Sequence, residues 1–329
     1  MLIVSRFKRT VRTYKEWLSR WHCLPVPAWI KAAEHYQKGD FAAAEALYKA
    51  GLVSHPQSPA KFNALLDLSH CLFRLRKFEE AENFMRQATI VAPHEREAYV
   101  RLARLQLWLG YASEAVWTMR VCVQRVSVDP ELAALFITAV VESGGNAATV
   151  IEARELLAGL HCDGGFPKLE VARARLALLE NESVVSRDNL SKLASIDRGP
   201  FEAVVAFAEV LLKEGKIAYA RHHLHRSLVV APEHPKVLRL LAQSYLSPGI
   251  FFEPEYGVQI ALKACQATAW RGVHELLTLA QAYIASHDNS AALLAATRAK
   301  DVAARLIGAY PEVARIEQIL QANDSGSQL

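Results

Sequence analysis

The sequence predicts an all-α solenoid of about eight helix–turn–helix repeats, opened by an amphipathic helix and closed by a capping helix. Three observations predict it. First, one pattern recurs as GDFAAAEALYKAGLVSHP (39–56), RKFEEAENFMRQATIVAP (76–93), GYASEAVWTMRVCVQRVS (110–127) and GKIAYARHHLHRSLVVAP (215–232). Second, alignment of the four segments puts Ala44, Ala81, Ala115 and Ala220 in one column, bulky Tyr48, Met85, Met119 and Leu224 four residues later, and small Gly51, Ala88, Cys122 and Ser227 three further on. Steps of four and three stay on one helix face, where small residues admit a neighbouring helix and the bulky one fills the gap. Third, Gly39, Gly110 and Gly215 stand where the chain breaks between two helices, and Pro56, Pro93 and Pro232 follow the second helix. Glycine reaches the left-handed conformation of such a break easily, and proline cannot continue a helix.

The elements follow in order. Residues 1–24 form a basic amphipathic helix in which Val4, Phe7, Val11, Tyr14, Leu18 and Trp21 make one apolar stripe. Arg6, Lys8, Arg9, Arg12, Lys15 and Arg20 face Glu16 alone, so this terminus carries a net charge of +5 against +4 for the whole chain. Such a segment has three readings: a cap on the first repeat, contact with an anionic membrane surface through Phe7, Arg9, Arg12, Lys15, Trp17 and Trp21, or docking to a partner. Residues 25–129 hold three clear repeats, with Ala32, Ser69 and Ala103 as the small column of each first helix. Pro93 and Ser127 stand 34 residues apart, a length typical of helix–turn–helix repeats. Residues 130–200 hold two worn repeats, broken at 143–148 and 161–167. Residues 201–306 hold three more, with a bulge at 246–257. A cap over 307–321 and a frayed tail over 322–329 complete the chain.

The Gly–x–aromatic turn at Gly39 and Phe41, the small–x3–bulky–x2–small run and the closing proline resemble the tetratricopeptide repeat family. Arg76 in place of the turn glycine and Ala112 in place of the turn aromatic depart from its pattern. The resemblance implies a right-handed superhelix whose concave groove, lined by the first helix of each repeat, holds peptide segments of other proteins. On that implication the groove residues are Trp29, Tyr36, His70, Phe73, Arg74, Arg101, Arg104 and Trp108. Aromatic and arginine side chains are frequent anchors of binding, and arginine grips carboxylates with paired hydrogen bonds. The expected partner is therefore a protein or peptide segment with acidic and apolar residues. The same aromatics could instead pack between helices, and the arginines could simply face solvent. Family members that clamp chaperone tails resemble one another in a lysine/asparagine set; Trp29, Ala33 and Asp67 stand at such positions here and only Arg101 matches a basic one, so that clamp is not expected.

Composition narrows the rest. An apolar fraction of 52% supports a buried core, and a charged fraction of 22% near neutrality leaves little attraction for nucleic acid. Single-stranded nucleic acid in the groove, or a noncatalytic place in an enzyme complex, are the alternatives to a scaffold. Cys23, Cys71, Cys122, Cys162 and Cys265 form no CxxC pair and sit mostly among apolar neighbours, as core residues of a cytoplasmic protein do. His222, His223 and His225 have no acidic or cysteine neighbour that would complete a metal site. Gly144–Gly145 and Gly164–Gly165 head no phosphate loop, and no catalytic motif is present. The expectation is a scaffold or adaptor without enzymatic activity or cofactor, placed in the cytoplasm or at the cytoplasmic face of a membrane, in a bacterial envelope or secretion assembly.

Overall fold

The computed structural model describes residues 26–160, 165–180, 183–196, 199–306 and 312–326. Those residues form seventeen helices and no strand. They are α1 (Pro27–Gln37), α2 (Phe41–Ser54), α3 (Lys61–Arg74), α4 (Phe78–Val91), α5 (Arg96–Trp108), α6 (Ala112–Arg125), α7 (Pro130–Glu142), α8 (Ala147–Ala158) and α9 (Pro167–Leu179). Next come α10 (Ser183–Ser195), α11 (Phe201–Lys213), α12 (Ile217–Val230), α13 (Pro235–Tyr245), α14 (Pro254–Ala267), α15 (Val273–Ala285), α16 (Asn289–Ala303) and α17 (Val313–Gly326). The first sixteen make eight consecutive helix pairs, each joined by a short turn, and α17 packs on α16.

The columns read from the sequence are the interfaces. Ala44, Ala81, Ala115 and Ala220 are fully buried, as are Ala32, Ser69, Ala103 and Ala208 of the preceding helices. The bulky residues between the small ones (Tyr48, Met85, Met119 and Leu224) are buried too. Local signals set the helix ends. Asp40, Asp129, Asn146 and Asp288 accept hydrogen bonds from Ala43, Leu132, Thr149 and Ala291 N–H at 2.8–3.2 Å, capping α2, α7, α8 and α16. The within-pair turn needs a left-handed residue, and where glycine is missing Arg76 (φ 58) and His287 (φ 62) adopt it.

Contacts divide the chain into two compact blocks, one up to Ala98 and one from Tyr99 onward. In the N-terminal block, Glu45 of α2 ties neighbouring pairs together, bonding Lys49 at 2.7 Å and Lys77 at 2.9 Å, while Lys49 also reaches Glu80 at 2.6 Å. Burial alone would raise the Glu45 carboxyl, but the two ammonium donors hold it below its usual range.

The C-terminal block contains both worn repeats as α7–α8 and α9–α10, and its apolar core runs from Tyr99 through Ile319. The bulge before α14 is shorter than expected, because Pro254 already begins the helix. Arg221 of α12 braces it. Its guanidinium lies 3.7 Å from the Tyr245 ring centroid and donates to the Ser244 and Phe251 carbonyls at 3.1 and 2.7 Å. Among the described residues the terminal helix covers Val313–Gly326, so it overlaps the expected cap and includes part of the stretch expected to fray.

Candidate partner-binding surface

In the N-terminal block the sequence repeats an aromatic at the end of the first helix (Tyr36, Phe73) and another at the start of the second (Phe41, Phe78). The fold turns these columns into one connected cluster. Tyr36 meets Phe41 edge-on at 5.7 Å and His70 at 5.3 Å; its hydroxyl hydrogen-bonds with His70 Nδ1. His70 lies nearly parallel to Phe73 at 6.4 Å, and Phe73 tilts against Phe78 at 5.4 Å. Arg74 is exposed, with its guanidinium 4.6 Å from the Phe41 centroid. Four of the proposed groove residues (Tyr36, His70, Phe73 and Arg74) therefore come together, the aromatic ones half-buried.

Trp29 belongs elsewhere. It is 1% exposed, donates from Nε1 to the Tyr48 carbonyl at 3.3 Å, and lies so close to α2 that a Cβ on Gly51 would fall 2.2 Å from its ring nitrogen. A side chain with no exposed surface cannot anchor a partner, so Trp29 is an interface residue between α1 and α2.

The remaining three candidates share α5. Arg101 is half-buried; Arg104 is exposed and pairs with Glu131 at 2.9 Å. A bridge so open to water contributes little to stability, which leaves Arg104 able to exchange partners. Trp108 is half-buried and donates from Nε1 to the Ala267 carbonyl at 3.3 Å, with its ring 5.2 Å from His234.

Inside the C-terminal block lies a group that sequence reasoning missed. Glu142 accepts from Arg175 and Lys236, both at 2.6 Å; Glu209 takes Lys236 at 2.9 Å and faces Arg175 at 3.9 Å. Two cations and two carboxylates thus neutralise one another. Burial would raise both carboxyls, but the two cations pull Glu142 well below the ordinary range and Glu209 to about 2. The signal was available: Arg74, Trp108, Glu142, Arg175 and Glu209 follow one another at 33 or 34 residues, one column of successive first helices. Nearby, burial lowers His234 to about 4 and His274 to about 3, and raises Glu275 to about 7 despite Arg239, whose Nε stands 3.6 Å from Glu275 Oε1.

Phe7, Arg9, Arg12, Lys15, Trp17 and Trp21 lie outside the described residues, as do Cys23 and Cys162. In α1, Lys31, Glu34 and His35 stand in the columns where α3 fully buries Leu68, Cys71 and Leu72, so that face of α1 is polar. Cys71, Cys122 and Cys265 are buried and form no disulfide, and burial pushes the Cys71 thiol up to about 12. Among the described residues no three His, Cys, Asp or Glu side chains are placed to hold a metal ion; His223 instead packs on Phe207.

The tetratricopeptide repeat model matches residues 35–105. No curated protein matches the sequence. Among solved structures, a monomeric mutant of IFIT1 with Gppp-AAAA is 11% identical over 87% of this chain and 70% of that one, at a TM-score of 0.52. A tetratricopeptide repeat protein from Parabacteroides merdae is 14% identical over 90% and 97%, and yeast Tom70 is 10% identical over 92% and 96%, both at a TM-score of 0.42. At 11% identity the likeness to the IFIT1 structure is one of fold alone.

Proposed function

We propose that this chain, whose residues 35–105 match the tetratricopeptide repeat model, is a non-catalytic adaptor holding partner segments on its first helices, since such repeats generally serve as protein–protein interaction scaffolds. The observation that carries this reading is the cluster on α1 and α3, where Tyr36, His70 and Phe73 join in one aromatic surface beside exposed Arg74. Its chemistry fits a segment with an apolar or aromatic residue next to a carboxylate: the rings take the first, the guanidinium the second. In the C-terminal block, Arg101 and Arg104, three apart on α5, form a separate candidate contact for acidic residues. Single-stranded nucleic acid is less well matched, because the cations of the inward column in the C-terminal block are already bound to Glu142 and Glu209. Attachment at the cytoplasmic face of a membrane, in an envelope or secretion assembly, is supported by the basic and aromatic composition of residues 1–22 and by the polar outer face of α1. No described helix is long and apolar enough to cross a membrane.

The test is crosslinking capture from native cells with three full-length proteins: wild type, Phe73→Ala with Arg74→Glu, and Arg101→Glu with Arg104→Glu. The adaptor reading expects one set of proteins to fall at least tenfold with each pair while helicity is unchanged, and the captured segment to bind directly with acidic residues required. Identical captures from all three would remove these residues from partner binding. Flotation with anionic liposomes, full chain beside a chain lacking 1–22, tests the membrane part; equal flotation ends it.

A further inference from the structure

We infer that Trp108–Tyr111 is a latch that closes the C-terminal block on itself, and that this block has a closed and an opened state. In a repeat array each repeat touches its neighbours. The turn after α5 does more. Trp108 Nε1 donates to the Ala267 carbonyl at 3.3 Å, and the Tyr111 hydroxyl donates to the Arg271 carbonyl at 3.0 Å, across 159 and 160 residues of chain. The Trp108 ring also meets His234 at 5.2 Å, and a Cβ on Gly110, itself left-handed at φ 78, would come within 3.2 Å of the His274 ring. Trp108 and Tyr111 stand at a turn within a pair, whereas His234, Ala267 and Arg271 stand at turns between pairs. Opposite edges of the ribbon of helices therefore touch, as they do when one turn of the coil meets the next.

The receiving turn is built for this. Ala267 ends α14, so its carbonyl has no partner within the helix and the indole N–H supplies one. Ala269 (φ 49) and Trp270 (φ 63) follow, two successive left-handed residues that carry side chains, a conformation that needs support from outside the turn. Trp270 gets it from the Arg298 guanidinium, 5.1 Å from its ring, and the turn as a whole from Tyr111. The two latch hydrogen bonds use one neutral indole and one phenol, while the charged Lys236–Glu142 bond between α13 and α7 is separate from them, so the latch can part while the rest of the block stays packed. Parting uncovers two carbonyl acceptors and the His234 ring, a slot that an aromatic donor from a partner can fill in place of Trp108.

Hydrogen exchange on the full chain tests this with Trp108→Phe plus Tyr111→Phe, which deletes both donors while keeping an aromatic ring at each position, and with Trp108→Ala. The latch predicts at least fivefold faster exchange at 268–274 in both variants, with α9 unchanged. It also predicts that a labelled peptide of residues 104–113 binds Trp108→Ala at least tenfold tighter than wild type. Unchanged exchange at 268–274, exchange rising throughout the block, or equal peptide binding to both proteins would each overturn the latch.

Discussion

Gly51→Ala is the sharpest test of how the N-terminal block is built. In an ordinary helix interior this change stabilises by about 1 kcal/mol, because alanine is the better helix former. Here the new Cβ would stand 2.2 Å from Trp29 Nε1 and 2.6 Å from Cδ1, inside a contact that leaves Trp29 only 1% exposed. Relief requires the indole to shift. Overpacking of this kind costs about 1–3 kcal/mol, and parting the ring nitrogen from the Tyr48 carbonyl adds about 1 kcal/mol or more. The expected sum is a loss of about 2 kcal/mol, opposite in sign to the propensity effect. The next repeats show the compensation, for Leu66 stands with Ala88 and Val100 with Cys122 in the columns of Trp29 and Gly51. Trp29→Leu in the Gly51→Ala background therefore copies the second repeat and should recover about 1–2 kcal/mol relative to additivity. Native-state hydrogen exchange of α1 and α2 peptides, with urea titration, measures this without assuming that both blocks unfold together. A Gly51→Ala protein as stable as wild type, or a double variant that is merely additive, would refute the close-approach argument.

The charged groups of the C-terminal block give two more tests. Lys236→Met removes the cation shared by Glu142 and Glu209 and should cost about 2 kcal/mol at neutral pH, between an exposed bridge and a fully buried pair, with Lys236→Arg recovering most of it. Both carboxyls are depressed in the folded state, so their contribution is present above about pH 4.5 and fades as pH falls towards 2; the gap between wild type and variant in urea titrations should close over that range. Glu275 behaves oppositely. Its folded value is raised to about 7, so its contribution is complete below about pH 4.5 and is lost as pH rises through 7. Glu275→Gln should therefore be more stable than wild type by about 3 kcal/mol at pH 8 and nearly equal at pH 4.5, and parallel pH profiles would contradict that assignment.

Much of the fold was legible because the interfaces recur. Each pair repeats the same contact, so the alanine columns at 44, 81, 115 and 220 identify the helix pairs without any coordinates. The surface was half legible. Tyr36, His70, Phe73 and Arg74 do share one place, but Trp29 shows the same helical spacing and is buried, because its fate depends on Gly51 in another helix. Glu142, Arg175 and Glu209 were visible as a column, yet nothing in the linear order says that Lys236 of α13 enters their midst.

The sequence by itself determined the helices, their pairing and the neighbour-to-neighbour packing, since periodicity and turn residues act over one repeat length. Only the tertiary structure decided which distant turns of the C-terminal block meet. The small rotation from each pair to the next accumulates until Trp108 and Tyr111 meet carbonyls some 160 residues away, and such a sum over many interfaces is written in no single stretch of chain.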